Sequence, residues 1–121
     1  MRNRFGFIML LAFVVLFLGT FGSCKIENNY PVLYVVNGTD YDVNVYCDNR
    51  LVTSAYAHDN SGKVELSNTS VNLPVYVEAE FYDNKGKRIT TYKWNNFYFK
   101  WNKSYKMTLT SSTSTSSLKE L

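Results

Sequence analysis

This chain of 121 residues contains one histidine, two cysteines and two prolines, and its longest unbroken apolar run, Phe5 to Leu18, is 14 residues. That run falls short of the ~20 residues a spanning helix needs. The single histidine, His58, sits beside Asp59 in the turn "YAHDNSG". It excludes any metal site with two imidazole ligands, and neither sequence neighbour supplies the nucleophile that a base would activate. Glu78 and Glu80 share one strand face, which reads as a solvent face rather than a glycosidase carboxylate pair. No catalytic residue, cofactor or metal ligand is assigned, and the chain is not expected to be an enzyme.

An excess of charge of one sign is also missing. The formal net charge is +3. Arg2 and Arg4 lie in the first segment, and removing residues 1–23 leaves 11 basic against 10 acidic residues. A nucleic-acid partner is excluded on that balance.

What is present begins with a basic "MRNR", an apolar "FGFIMLLAFVVLFLG" and a small-residue exit. That order is the layout of a secretory signal peptide over residues 1–23. An uncleaved anchor is the competing reading, because Phe5 to Gly22 taken together approaches spanning length. Two cysteines in an exported chain invite a disulfide. Parity argues otherwise: in "YDVNVYCD" the apolar Tyr41, Val43, Val45 and Cys47 alternate with polar neighbours, which puts Cys47 on a buried face as a small hydrophobe. Cys24 opens the segment 24–30, in which the polar tether Lys25 to Tyr30 follows it.

From Pro31 on, the chain reads as strands and turns: 32–37, 41–47, 51–57, 62–67, 73–83, 87–94, 96–101 and 104–110. They are rich in Val, Tyr, Phe and Thr. "NGTD", "CDNR", "HDNSG", "SNTS", "DNKGK" and "WNK" supply Asn, Asp and Gly for tight turns. Val75, Val77, Ala79 and Phe81 alternate with Tyr76, Glu78, Glu80 and Tyr82, one face for a core and one for water. Close spacing predicts hairpins. The expected fold is therefore all-β, an antiparallel immunoglobulin-like β-sandwich of about seven or eight strands over 31–110, with a small barrel as competitor. The Ser/Thr-rich end, 111–121, is expected to be a flexible tail.

Charge and aromatics are unevenly placed. From Lys25 to Asn84 three basic residues face nine acids, and from Lys85 on eight basic residues face one. This predicts either a basic patch for an acidic partner or an anionic glycan or, preferably, cross-strand pairing of Glu78 and Glu80 with the basic return strand. "YKWNNFYFKW" holds six aromatics in ten residues, with Phe97, Phe99 and Trp101 assigned by parity to the core. Outward Tyr46, Tyr76, Tyr82 and Tyr98, with Lys100, form the candidate binding face for a sugar ring or a partner protein. "NGT", "NTS" and "NKS" are glycan acceptor triplets at Asn37, Asn68 and Asn102 in a eukaryotic secretory pathway.

At residues 21–24, "FGSC" resembles the lipobox of bacterial lipoproteins, with Gly22 and Ser23 before the cysteine and Phe21 where Leu is usual. The resemblance implies cleavage before Cys24 and lipidation of its thiol. Acyl chains such as palmitate then hold the protein stably on the membrane. Lys25 implies, by the same resemblance, an outer-membrane destination in the cell envelope. "VEAEFYDNKGK" is similar to the strand and turn of FxLYD-type domains, with Ala79 where that motif has Phe. The expectation is a lipid-anchored, non-enzymatic envelope binding or assembly module with a protein or glycan partner. The alternative is an inhibitor or immunity-type lipoprotein acting on an envelope enzyme.

Overall fold

The structure, a computed structural model, describes residues 28–111 and 115–121. The expected signal peptide, Cys24 and the tether before residue 28 lie outside the described residues. Eight strands follow in order: β1 (Val32–Asn37), β2 (Asp42–Cys47), β3 (Arg50–Ala55), β4 (Asn60–Glu65), β5 (Pro74–Tyr82), β6 (Arg88–Tyr98), β7 (Ser104–Leu109) and β8 (Ser117–Glu120). They form two four-stranded sheets, ordered β4-β1-β7-β8 and β3-β2-β5-β6. No α-helix occurs among the described residues.

The period-two patterns decide which sides meet. Leu33 and Val35 of β1 and Tyr105, Met107 and Leu109 of β7 face Val43, Val45 and Cys47 of β2 and the odd-numbered residues of β5 across one shared core. The alternate residues point outward, as the pleat requires. Phe99 and Tyr105 stack edge to face at 5.0 Å, and the buried Tyr105 hydroxyl accepts the Lys100 N–H at 2.8 Å. A phenol enters the core at little cost because its polar tip ties down the turn before its own strand. Among the described residues every strand, from Val32 on, and the buried apolar core, Leu33 to Leu118, belong to this one pair of sheets.

The structure corrects three expectations. First, the sheets are not wholly antiparallel: five of the six pairings are, but β1 and β7 run parallel from Val32↔Ser104 to Asn37↔Leu109. Turn signals report only consecutive strands, whereas this pair is joined by a crossover of five intervening strands. Second, 87–94 and 96–101 are not two strands. β6 runs through with a register shift opposite Val75–Val77, where Asn96 takes a φ of 55°. Asn tolerates that left-handed backbone, so "WNN" makes an irregularity inside a strand instead of a turn. Phe99 is buried as read, Phe97 packs against the core from partial burial, and Trp101 lies half-buried beyond the strand. Third, the end expected to be a flexible tail carries β8, which pairs with β7 and buries Leu118 against Met107 at the open edge. Two leucines, Leu118 and Leu121, in a polar segment are too little signal for a strand, but an exposed sheet edge offers it a full ladder.

The turns do with Asn and Asp what glycine does elsewhere. Asp48 and Asn49, with φ of 48° and 66°, form the two-residue connection of the β2–β3 hairpin, the pattern of a type I′ turn. At the β5–β6 turn Gly86 supplies a φ of 82°, and Asp83 Oδ1 accepts the N–H groups of Lys85 and Lys87 at 2.9 and 2.8 Å. These two donors hold the exposed Asp83 carboxyl below the usual carboxylate range.

The strands alternate in direction, so the loops gather at two ends. Asn29, the 66–73 loop, the 99–103 turn and Leu121 meet at one end: Asn102 N–H donates to Asn29 C=O at 2.8 Å, Asn72 N–H to Phe99 C=O at 2.7 Å, and Leu121 N–H to Ser104 C=O at 2.8 Å. The 37–42, 55–60 and 83–87 connections form the other end, where the buried Asn37 is the hub. Its amide donates to the carbonyls of Tyr41, Ala55 and Tyr56 at 2.7, 3.3 and 3.1 Å, while its Oδ1 accepts from Thr39 N–H and Oγ1.

Candidate functional site

The outer face of the β3-β2-β5-β6 sheet is built by register. Asp42, Asn44 and Tyr46 of β2 stand opposite Tyr82, Glu80 and Glu78 of β5, and Glu78, Glu80 and Tyr82 stand opposite Lys93, Thr91 and Arg88 of β6. Cross-strand complementarity follows at once. Arg88 Nη1 donates to Glu80 Oε2 at 3.3 Å, and Glu78 and Lys93 are direct partners. The preferred reading of the hairpin charges therefore describes this sheet.

Glu80 organises the face. Its other oxygen, Oε1, accepts the Tyr82 hydroxyl at 2.5 Å. That bond above all, with burial, the negative charge of Glu80 and the neighbouring Tyr46, pushes the Tyr82 hydroxyl up to about 12. Tyr46 and Tyr82 are thus brought together. Tyr76 lies apart, its N–H donating to Asp48 Oδ1 at 2.9 Å beside the β2–β3 turn. Tyr98 pairs with Pro74 at the Asn29 end, and Lys100 lies beyond β6 with its N–H on Tyr105. The five candidate residues do not form one platform. Two share a site, and three spread toward the other end.

At the Asn37 end of the same face opens a cleft of about 540 Å³, lined among others by Asp42, Asn44, Ser54, Tyr56, Tyr82 and Asp83. Three of its polar side chains are positioned internally: Ser54 Oγ donates to Asn44 Oδ1 at 2.7 Å, and Asp42 Oδ1 accepts the Ala57 N–H at 3.0 Å. Tyr56, at 74% exposure, is the most exposed large hydrophobic of the described chain and stands on its rim. Sequence reading found Tyr82 and missed Asp42, Asn44, Ser54 and Tyr56. Strand parity marked the first two as outward. Their convergence with Tyr56 depends on which strands are neighbours.

No protein-family model, curated protein or solved structure matches this chain. The chemistry of the cleft alone says what it can do: tyrosine rings offer flat apolar faces, and carboxylate, amide and hydroxyl groups beside them accept and donate to hydroxyls.

The other sequence candidates fall elsewhere. His58 pairs with Asp40, not with its neighbour Asp59: Nε2 and Oδ1 lie 2.5 Å apart, on side chains 62% and 84% exposed. Among the described residues no three of His, Cys, Asp and Glu gather as a metal site requires. Cys47 is a buried free thiol, and burial, the largest of its influences, pushes it up to about 12, far from thiolate reactivity. Asn37 of "NGT" is 1% exposed and bonded throughout, so in the folded chain it is closed to glycan transfer.

Proposed function

We propose that this chain is a lipid-anchored, non-enzymatic binding module of the bacterial cell envelope, held through Cys24, with an immunoglobulin-like sandwich as its frame and the Tyr56–Tyr82 cleft as its ligand site. The observation that carries the binding reading is the cleft itself, where two tyrosines meet Asp42, Asn44, Ser54 and Asp83 on the outer face of one sheet. Ring faces flanked by acceptors and donors suit a pyranose, which is apolar on its faces and hydroxylated at its rim. A glycan is the ligand class we assign.

The anchor reading is supported by the place that Asn29 and Tyr30 take in the fold. Asn29 and Tyr30 are pinned at the end of the sandwich opposite the cleft, by the Asn29–Asn102 hydrogen bonds and by Tyr30 against Trp101 at 5.3 Å. From Cys24 to Asn29 the chain reaches at most about 18 Å, so a lipid at Cys24 keeps that end near the bilayer and presents the cleft outward. The immunoglobulin-like reading is supported by two sheets over one core and by Tyr105, whose hydroxyl bonds the backbone just upstream as a tyrosine corner does.

Two measurements test this. Intact mass spectrometry of the membrane-extracted protein should find a diacylated or triacylated chain beginning at Cys24, and an unmodified terminus cut elsewhere removes the anchor. A glycan array probed with residues 24–121 should report binders that Tyr56→Ala and Tyr82→Ala both lose. Binding indifferent to both changes removes the cleft.

A further inference from the structure

The outer face of the other sheet has a composition of its own. Lys63 of β4, Tyr34 of β1, Lys106 of β7 and Lys119 of β8 are consecutive cross-strand partners, so three lysines and one tyrosine form a row across all four strands. At about 4.8 Å per strand the row spans some 14 Å. Lys106 and Lys119 stand directly opposite one another, an arrangement that destabilises a sheet. Among the described residues none of the three lysines has an acid within ion-pair distance. The acids nearest in register are Glu65, two residues along β4, and Glu120, which pairs with Lys103 at 3.7 Å. The aliphatic Val32 and Val36 flank Tyr34 on the same outward parity of β1 and are only partly buried. Leu121, 68% exposed, borders a hollow that Tyr34 and Lys106 also line.

We propose that this face seats the domain on the head groups of an anionic bilayer. Lys63, Lys106 and Lys119 meet lipid phosphates, and Tyr34 lies between them at the head-group level, where amphipathic rings settle. The position of the chain selects this occupant. β1, the strand that Asn29 and Tyr30 lead into, is central in this sheet, and the tether from Cys24 is too short to hold the face far from a membrane. Seating this sheet turns the opposite one, with its tyrosine cleft, away from the lipid. A row of like charges that costs the free domain stability becomes favourable once a negative surface covers it. The orientation rests on the anchor reading, whereas the affinity of the face for anionic lipid does not.

The test uses the unacylated chain 24–121 with Cys24→Ser, sedimented with phosphatidylcholine vesicles with and without phosphatidylglycerol. Binding should require phosphatidylglycerol, weaken at high salt, and fall about 100-fold when Lys63, Lys106 and Lys119 are all changed to Gln, at roughly fivefold per lysine. The matched change of Lys85, Lys87 and Lys93 to Gln removes the same charge elsewhere and should leave most of the binding. Thermal melts of both triple variants should show them folded, the first no less stable than the parent. Equal losses in the two triples, binding that ignores phosphatidylglycerol, or capture of a soluble anionic polysaccharide in preference to vesicles overturns the proposal. Because no acyl chain is present, an unmodified Cys24 in the cell would remove the anchor and leave this result standing.

Discussion

Asn29 and Asn102 clasp each other twice: Asn102 N–H donates to Asn29 C=O, and Asn29 N–H donates to Asn102 Oδ1, both at 2.8 Å. Seventy-three residues apart in sequence, they fasten the start of the described chain to the β6–β7 turn. Asn102 does this from a φ of 62°, so its backbone and side chain are both committed. Asn102→Ala should cost about 1–2 kcal/mol, from the lost acceptor and the left-handed backbone together, while Asn102→Gly keeps the backbone and loses only the acceptor. Urea denaturation of the two variants separates these parts, and faster amide exchange at Asn29 should accompany both.

Asn37→Ala should destabilise the domain by about 3 kcal/mol, because three carbonyls lose their donor at a buried position. Asn37→Asp keeps the acceptor for Thr39 but removes both amide donors, and should be no better. A thermal melt that leaves either variant within a degree or two of the parent would show that the loops are held by other contacts.

Cys47 gives the stability an alkaline limit. Below about 9 the thiol is protonated in both folded and unfolded chains; between about 9 and about 12 only the unfolded thiol ionises, so stability falls as pH rises. The slope is at most about 1.4 kcal/mol per pH unit. Cys47→Ala should cost about 1 kcal/mol at neutral pH yet flatten the loss above that range. Denaturation midpoints from neutral to alkaline pH, parent against variant, check the sign.

Tyr82 should be among the last tyrosines to ionise, near 12, because Glu80 accepts its proton's hydrogen bond. In an ultraviolet titration, Tyr82→Phe should remove one late component and Glu80→Gln should move it down. A late component unchanged in both would assign it to Tyr105, whose hydroxyl burial also raises.

β8 should contribute measurably. Leu118→Ala should cost about 2–3 kcal/mol as a large-to-small change at a nearly closed site. A chain ending at residue 111 leaves the β7 edge unpaired and should associate on concentration. Light scattering that reports a monomer as stable as the parent would reduce β8 to an ornament.

Where a strand is buried on one side, its own sequence was enough. The faces of β2 and β5 read correctly from Val43 to Cys47 and from Val75 to Phe81, because alternation of Val, Cys, Ala and Phe with polar neighbours admits only one face for the core; Tyr41, given the same parity, lies before β2 and is exposed. The cleft was legible only in fragments. Tyr82 and the outward parity of Asp42 and Asn44 could be read, but Tyr56 lies after β3, and the register between β2, β3 and β5 alone brings it beside them.

The sequence by itself determined that the described residues are all-β, with Cys47 inside and Glu78 and Glu80 outside, since period-two burial is a local property. Tertiary structure decided three further matters: the parallel pairing of β1 with β7, the recruitment of a Ser-rich end as β8, and the gathering of Lys63, Lys106 and Lys119 into one row. Each depends on which strands become neighbours across long separations, and that choice is made by closing two faces over one core.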